Sequence, residues 1–147
     1  MINQQQLDLL KQGVAATWNG WRAEHPDAVI DLNNVDLGEA NLAEVNLAGA
    51  DLSGANLSEA DLNNANLSRA LLAGANLSGA DLAGVDLSYA VLGRANLSEA
   101  NLRGANLVGA DLSEANIYEA HLDGALLEGA LITPEQVSQA SAERESL

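Results

Sequence analysis

A five-residue repeat constrains the fold of this chain more than any other feature. Leu or Ile stands at every fifth position from Leu32 to Ile132, 21 positions in all, and a small or aliphatic residue lies two positions before each of them. Asp or Asn separates the two at 16 of the 21 positions. A period of five fits neither the turn of an α-helix, about 3.6 residues, nor the two-residue alternation of a long strand. The chain must therefore turn a corner in every repeat.

The order of residues within a repeat predicts which side chains face the core. In Ala55-Asn56-Leu57 the alternation is strand-like, so we expect the Ala and the Leu to point inward and the Asn to point outward. Successive coils would then pair as a parallel ladder, about 4.8 Å apart. The core must be aliphatic, because aromatic residues make up only 3% of the chain and Phe is absent. No insertion interrupts the repeats, so no long loop is available to carry a function.

The repeat also resembles a known family. The segments Ala50–Gly54 (ADLSG) and Ala95–Glu99 (ANLSE) match the pattern A(D/N)LXX. Through this pattern about 100 of the 147 residues resemble the pentapeptide-repeat family, and in particular its cyanobacterial members. The resemblance implies an all-β fold, a right-handed quadrilateral parallel β-helix in which four repeats form one coil of 20 residues. The 21 repeats would make about five coils.

Such a coil stacks side chains that lie 20 positions apart in the sequence. Asn residues at four equivalent positions should form an amide ladder between coils: Asn56, Asn76, Asn96 and Asn116. Asp61 and Asp81 are also equivalent. We expect two solvated carboxylates there rather than a calcium site, because no loop or converging carbonyl groups complete a ligand set.

The repeat divides the chain into three parts. Residues 1–29 are predicted to form a helical cap, residues 30–132 the β-helix, and residues 133–147 a short C-terminal helix and tail. The tail beyond Ser141 is expected to fray. We expect the two helical segments to cover the ends of the rod, because an uncapped solenoid exposes its strand edges and its core.

At the N-terminus the pattern changes to that of one amphipathic helix from Asn3 to Glu24. Asn3 is the predicted N-cap, and Pro26 ends the helix. The apolar stripe of this helix consists of Leu7, Leu10, Val14, Trp18 and Trp21. The two tryptophans could bind a ligand or a partner, but we expect them to cover the open first coil.

At the C-terminus Thr133 and Pro134 offer an N-cap and a proline at the first helical position. They predict a short helix through about Ala140. Just before it, Leu126 and Leu131 stand where most repeats carry Asp or Asn. We interpret these two leucines as the surface on which the helix docks.

The chain is strongly acidic, with a net charge of −15 at pH 7. This charge excludes binding of nucleic acid or of an anionic membrane through a basic patch, and it favours basic partners. No apolar run reaches the roughly 20 residues of a membrane span, and Met1 to Leu10 lack the basic start and apolar stretch of a secretory signal. We therefore predict a cytoplasmic protein that is monomeric, and we leave a dimer open.

No group of residues predicts catalysis. The chain has no Cys, and its two histidines, His25 and His121, do not lie in a metal-ligand spacing. The many carboxylates are expected to point outward from a convex rod that forms no cleft, whereas acid–base catalysis needs a desolvated pocket. We predict that the protein is not an enzyme and binds neither a cofactor nor a metal ion.

Two surfaces of the shaft are candidate contacts. One face of the coil, the acidic face, carries five acids and no Lys or Arg: Asp36, Glu39, Glu59, Glu99 and Glu119. The other three faces of residues 30–132 have net charges of −3, −3 and −1. The second candidate is an outward apolar patch of Leu71, Tyr89 and Val91, in which Leu71 and Val91 are stacked.

These features predict a non-enzymatic structural or protein-interaction module. A rigid rod would present columns of side chains to an unidentified protein partner of basic character. The alternative is an acidic mimic of DNA that binds DNA gyrase or another DNA-binding protein. Acidic pentapeptide-repeat proteins that protect or inhibit gyrase resemble this chain in coil geometry and charge, although they are longer, dimerise end to end and carry aromatic central residues.

Overall fold

The computed structural model of the chain describes residues 3–141. Residues 30–132 wind into stacked coils in which parallel β-bridges join residues 20 positions apart, from Asp31 and Asp51 to Asp111 and Leu131. Because 20 residues hold four repeats, each coil has four sides. Each side is too short to form an extended strand, and a single residue per repeat makes the bridge. The predicted quadrilateral β-helix is confirmed.

Backbone hydrogen bonds join each coil to the next. The N–H of Asp51 donates to the carbonyl of Ile30 in the preceding coil at 2.8 Å. The N–H of Leu52 donates to the carbonyl of Leu71 in the following coil at 2.7 Å. Each repeat therefore donates in both directions, and the edge groups of the first and last coils have no neighbouring coil to bind.

The core is a stack of leucines flanked by alanines. From Leu32 to Leu112 every central leucine is at most 1% exposed, and the inward alanines two positions before them, from Ala50 to Ala110, are equally buried. The Asp and Asn residues between them face outward, as predicted. In the last coil the central residues Leu122 and Leu127 are only partly buried. The apolar core is thus sealed along its length and incompletely covered at its C-terminal end.

The outward Asp and Asn side chains fix the corner of each repeat. The Oδ1 of Asn96 accepts the N–H of Ser98 at 3.0 Å, and all 16 outward Asp and Asn residues make the equivalent bond. The N–H of Ala100 then donates to the carbonyl of Leu97 at 3.0 Å and closes the turn. Asp and Asn recur because their short side chains carry an acceptor that reaches the N–H two residues later, a bond that Ser and Thr make more weakly.

The predicted amide ladder is wrong for the same reason. In the column of Asn56, Asn76, Asn96 and Asn116 each side-chain oxygen accepts an N–H within its own turn. Within residues 3–141 this column has one side-chain bond between coils, from the Nδ2 of Asn56 to the Oδ1 of Asp36 at 2.9 Å. The side-chain oxygens therefore hold corners rather than joining coils.

Asn96 offers a test of this role. Replacing Asn96 by leucine removes the acceptor and is expected to lower the free energy of unfolding by about 1 kcal/mol. The control, Asn96→Asp, keeps the acceptor and should cost far less. Urea unfolding followed by circular dichroism measures both. Equal losses would show that the side-chain oxygen does not stabilise the corner.

The N-terminal segment forms two helices, α1 (Gln4–Lys11) and α2 (Ala15–Glu24), so the prediction of one continuous helix is wrong. The chain turns at Gly13, whose φ of +73° lies in the left-handed region that favours glycine. The N–H of Gly13 donates to the carbonyl of Leu10 at 3.2 Å, a typical helix end. Val14 lies between the helices and is 51% exposed, so it is not part of a buried stripe.

Other features of this segment are as predicted. Asn3 is the N-cap of α1 and accepts the N–H of Gln6 at 3.1 Å. Helix α2 ends at Glu24, before Pro26. Leu7 and Leu10 are buried in the core cluster. The turn at Gly13 allows α1 and α2 to pack against each other at the N-terminal end of the rod.

The C-terminal helix α3 (Pro134–Gln139) has Thr133 as its N-cap, as predicted. Thr133 and Gln136 form a capping box in which each side chain accepts the backbone N–H of the other. The predicted docking surface is wrong, because Leu126 and Leu131 remain 48% and 59% exposed.

In the described part of the chain, no helix has the length and apolarity that crossing a membrane requires.

Polar groups, not the two leucines, connect α3 to the rod. The Nε2 of Gln136 donates to the carbonyl of Ala115 at 3.0 Å. The N–H of Ser141 donates to the carbonyl of Ala120 at 2.7 Å, the same step of 21 residues that the ladder uses. Ala140 is 5% exposed and occupies an inward position. The chain thus returns to the ladder after α3, and the predicted tail beyond Ser141 lies outside the described residues.

Candidate interaction surfaces

Four residues of the acidic face form a column along one corner of the rod. They occupy the same position in four of the five coils: Glu39, Glu59, Glu99 and Glu119. In the third coil this position is Gly79. All four are exposed, and each has a φ between 58° and 61°. The Glu59 carboxylate lies over Gly79, in the space that a Cβ there would fill. We call these four residues the glutamate column.

The fifth acid of this face has a different position. Asp36 lies at an outward position on the side of the coil, where its Oδ1 accepts the N–H of Gly38 at 3.0 Å and the Nδ2 of Asn56 at 2.9 Å. Its charge adds to the acidic face, but its side chain is held in the turn.

The glutamate column keeps its charge uncompensated within residues 3–141. Arg94 pairs with Glu114 at 3.5 Å, and Arg103 pairs with Asp123 at 3.6 Å, each across one coil step on other faces. No described Lys or Arg forms an ion pair with the column. A line of like charges on a low-dielectric rod concentrates negative potential at this corner.

Of the apolar patch, the structure pairs only Leu71 and Val91. These two residues are bridge partners, and Leu71 is 42% exposed. Tyr89 is 53% exposed, but its ring lies against Gly109 in the next coil, and the guanidinium of Arg69 is 5.1 Å from the ring centroid. The outward apolar surface therefore consists of an aliphatic pair, and a contact role for it stays a prediction.

The N-terminal helices bind the free backbone edge of the first coil. Trp18 is 1% exposed, and its Nε1 donates to the carbonyl of Asn46 at 2.7 Å. The Asn19 side chain accepts the N–H of Asn46 at 2.7 Å and donates to the carbonyl of Glu44 at 3.0 Å. Arg22 donates to the carbonyls of Asn46 and Ala48 at 3.0 and 3.1 Å. These side chains occupy the place of a missing coil.

Asn19 and Arg22 were missed by the sequence analysis, which considered only the apolar stripe. Arg22 lies four positions after Trp18 and so on the same face of the helix, whereas Asn19 directly follows Trp18 and lies on an adjoining face. The spacing therefore points to Arg22 and not to Asn19. Burial lowers the pKa of Arg22 from its ordinary value. A polar residue on the same face as a buried tryptophan is the signal that identifies such edge-binding side chains.

Trp21 differs from Trp18 in its surroundings. It is partly buried and stacks on His25, with the ring centroids 4.6 Å apart. It also borders a cleft of about 500 Å³, whose walls come from Gln5, Gln6, Asp8, Leu9, Gln12 and Trp21. The Nε2 of Gln6 donates to the carbonyl of Val29 at 3.0 Å. Trp18 therefore covers the first coil, whereas Trp21 faces a cleft.

Two outward aspartates, Asp81 and Asp111, are held in local hydrogen bonds. Among the described residues, no three His, Cys, Asp or Glu side chains gather closely enough to hold a metal ion. Asp81 accepts the amide groups of Asn63 and Asn101 at 3.4 and 3.3 Å. Hydrogen bonds from the hydroxyl (2.6 Å) and the N–H (2.9 Å) of Ser113 lower the pKa of Asp111.

Known proteins share this repeat. The family model described as pentapeptide repeats (8 copies) matches residues 30–69, 65–103 and 95–133. A pentapeptide-repeat protein from the thylakoid lumen of Arabidopsis thaliana is 25% identical, with a TM-score of 0.52, over 82% of this chain and 85% of that chain. No curated protein matches the chain.

Two cyanobacterial structures are also similar. A pentapeptide-repeat protein from Cyanothece 51142 is 32% identical over 81% of this chain and 100% of that chain, with a TM-score of 0.42. HetL of Nostoc sp. PCC 7120, which is involved in the regulation of heterocyst differentiation, is 36% identical over 68% of this chain and 60% of its own, with a TM-score of 0.38. The cytoplasmic location stays a prediction, because the Arabidopsis relative comes from the thylakoid lumen. From the family model that matches residues 30–133, the chain belongs to the pentapeptide-repeat family, whose members form right-handed quadrilateral β-helices.

Proposed function

We propose that this protein is a non-enzymatic interaction module that binds a basic surface of a partner protein along its glutamate column. The observation that carries the proposal is the column itself, four exposed carboxylates in line without an ion pair to any described Lys or Arg. The backbone of each corner is hydrogen-bonded to the neighbouring coils. A rigid display of this kind loses little conformational entropy on binding.

The surroundings of the column support binding rather than catalysis. The depression at its centre has a volume of about 320 Å³ and is lined by Glu59, Ser78, Gly79 and Glu99. General acid–base catalysis needs a carboxyl group in a desolvated environment, whereas every glutamate of the column is exposed. The proposed role of these carboxylates is to attract and orient a cationic surface.

The same column supports a second candidate, mimicry of DNA toward gyrase or another DNA-binding protein. A straight line of negative charge on a rigid rod favours this candidate. Duplex DNA carries one charge per roughly 1.7 Å of its axis, whereas the column places one carboxylate per coil, about 4.8 Å apart, with a gap at Gly79. A partner that reads duplex geometry would therefore need charge from a neighbouring face as well.

A charge-removal variant tests the proposal. Changing the four glutamates of the column together to glutamine should weaken capture of partner proteins that the unmodified protein binds. It should also flatten the salt dependence of the remaining binding, because screened charges are removed from the contact. Affinity capture at a series of salt concentrations, followed by mass spectrometry, measures both effects. A supercoiling assay with purified gyrase tests the second candidate.

A matched control removes the same charge elsewhere. Glu24, Glu44, Glu114 and Glu135 are exposed and lie outside the acidic face, so their joint change to glutamine should leave capture unchanged. If both variants lose binding equally, net charge rather than the column attracts the partner. If the unmodified protein leaves gyrase supercoiling unaffected at low salt, the mimicry candidate is wrong for that enzyme.

A further inference from the structure

The C-terminal edge of the β-helix is an open binding edge between Gly124 and Ala130. One coil earlier, the N–H of Leu107 donates to the carbonyl of Leu126 at 2.8 Å, and the N–H of Leu126 donates to the carbonyl of Ala105 at 2.9 Å. The equivalent groups of the last coil have no partner in residues 3–141: the N–H groups of Gly124, Leu127 and Gly129 and the carbonyls of Ala125 and Ala130. The two ends of the rod therefore differ, because side chains bind the edge of the first coil.

An apolar cavity adjoins this open edge. It has a volume of about 260 Å³ and lies between the last coil and α3, with walls from Leu122, Asp123, Leu127, Val137, Ala140 and Ser141. Leu122 and Leu127 are the central leucines that a further coil would cover, and both are partly exposed. An aliphatic side chain carried inward by an added strand would stack on them, as each leucine stacks on the next along the rod.

The outward side of the edge is apolar as well. Leu126 is 48% exposed, and it stands above Asn106 in a position where most repeats carry Asp or Asn. Leu71 and Val91 show how the ladder pairs two aliphatic residues at this position. A strand added beside Leu126 would therefore gain a cross-strand contact from an aliphatic outward residue.

We infer that this edge accepts an extended segment of a partner protein as an added parallel strand. The segment would carry an Ala-Val-Leu type of sequence, with the Leu in the cavity and the Val beside Leu126, and basic residues on both sides of it. The inference rests on the proposed role in protein binding and adds a second surface to the glutamate column. Main-chain hydrogen bonds would give affinity, and the cavity would select the side chain.

The ladder defines the hydrogen bonds of such a segment. The N–H of its Val would donate to the carbonyl of Ala125, and the carbonyl of the same Val would accept the N–H of Leu127. The carbonyl of the segment residue two positions after the Val would accept the N–H of Gly129. The N–H of its Leu would point away from the rod, as the N–H of Leu127 does. Ser141 already binds Ala120 in this register, so the last coil takes a strand that is not part of a repeat.

The charge at this edge favours a basic segment of a partner protein over a second copy of this chain. Glu128 lies on this edge without an ion pair to any described Lys or Arg, whereas Asp123 beside it pairs with Arg103. A second copy that docked end to end would bring the two Glu128 carboxylates toward each other, whereas a basic segment would not. The other end of a second copy is closed, because Asn46 is bound by the N-terminal helices.

Backbone methylation of a probe peptide tests the inference. The probe is the acetylated and amidated peptide KKGAVLSGKK, added to the full-length protein and followed by NMR and calorimetry. We expect saturable binding with shifts and increased exchange protection at the amides of Gly124, Leu127 and Gly129. N-methylation of the Val should weaken binding at least about tenfold, whereas N-methylation of the Leu should change it by less than about threefold.

Other outcomes overturn the inference. Absence of saturable binding, equal losses for the two methylated peptides, or equal binding of a peptide with Glu in place of every Lys would each contradict an added strand at this edge. Sedimentation that shows a dimer of the free protein, dissociated by Leu126→Lys, would assign the edge to a second copy instead. None of these results bears on the glutamate column, whose own variants decide the proposed function.

Discussion

Replacing Leu82 by alanine is expected to lower the free energy of unfolding by about 2 to 5 kcal/mol. Leu82 is fully buried at the middle of the rod, and its equivalents one coil away on either side, Leu62 and Leu102, are fully buried as well. The truncated side chain would leave a cavity that the neighbouring coils cannot close, because both are fixed by the backbone ladder. Chemical unfolding of the variant and the unmodified protein measures the difference.

Leu71→Ala is the matched control for this prediction. It removes the same atoms from a leucine that points outward and is 42% exposed. We expect a loss below about 1 kcal/mol, as for most surface substitutions. Equal losses at Leu82 and Leu71 would contradict the assignment of inward and outward positions on which the description of both candidate surfaces depends.

The fold could be predicted from the sequence because every repeat has the same order of inward and outward residue types. Leu82 has the same neighbours as Leu62 or Leu102, so one local decision about facing determines the whole core. The side-chain oxygen of Asn96 could not be assigned as easily. Outward position alone is consistent with a stack between coils or a bond within the turn, and the bond within the turn prevails because the N–H of Ser98 is only two residues away.

The ends were harder to predict because they do not repeat. The apolar spacing from Leu7 to Trp21 fits a continuous helix, but Gly13 takes a left-handed conformation and splits it. At the other end, the apolar character of Leu126 and Leu131 suggested a docking surface for α3, yet Gln136 binds α3 to carbonyl groups of the last coil. At the C-terminal end, backbone carbonyls that need a partner outweigh the pattern of apolar side chains.

The glutamate column was predictable in its membership but not in its shape. Counting residues by coil face groups Glu39, Glu59, Glu99 and Glu119 together with Asp36. The sequence does not show that the glutamates occupy one corner with positive φ, or that Asp36 is held in a side of the coil by its own hydrogen bonds. The open edge at the last coil was missed because it consists of backbone groups, which no residue type reveals.

Deleting residues 1–29 is expected to increase the self-association of the protein. The deletion removes the side chains that bind the N–H and carbonyl of Asn46 and the carbonyl of Ala48, and it uncovers the leucines of the first coil. An unpaired edge beside exposed apolar surface is a template for pairing with another chain. Light scattering and sedimentation over a range of protein concentrations measure the association.

A double variant separates the two causes of this association. Asn19→Leu combined with Arg22→Leu removes hydrogen bonds to Asn46 and Ala48 while Trp18 still covers the first coil. If it self-associates as the deletion does, the unpaired backbone edge is the cause; if it stays monomeric, the uncovered leucines are. Should the deletion itself stay monomeric at high concentration, the N-terminal helices are not needed to block the edge, and the cleft beside Trp21 becomes the better explanation for their aromatic residues.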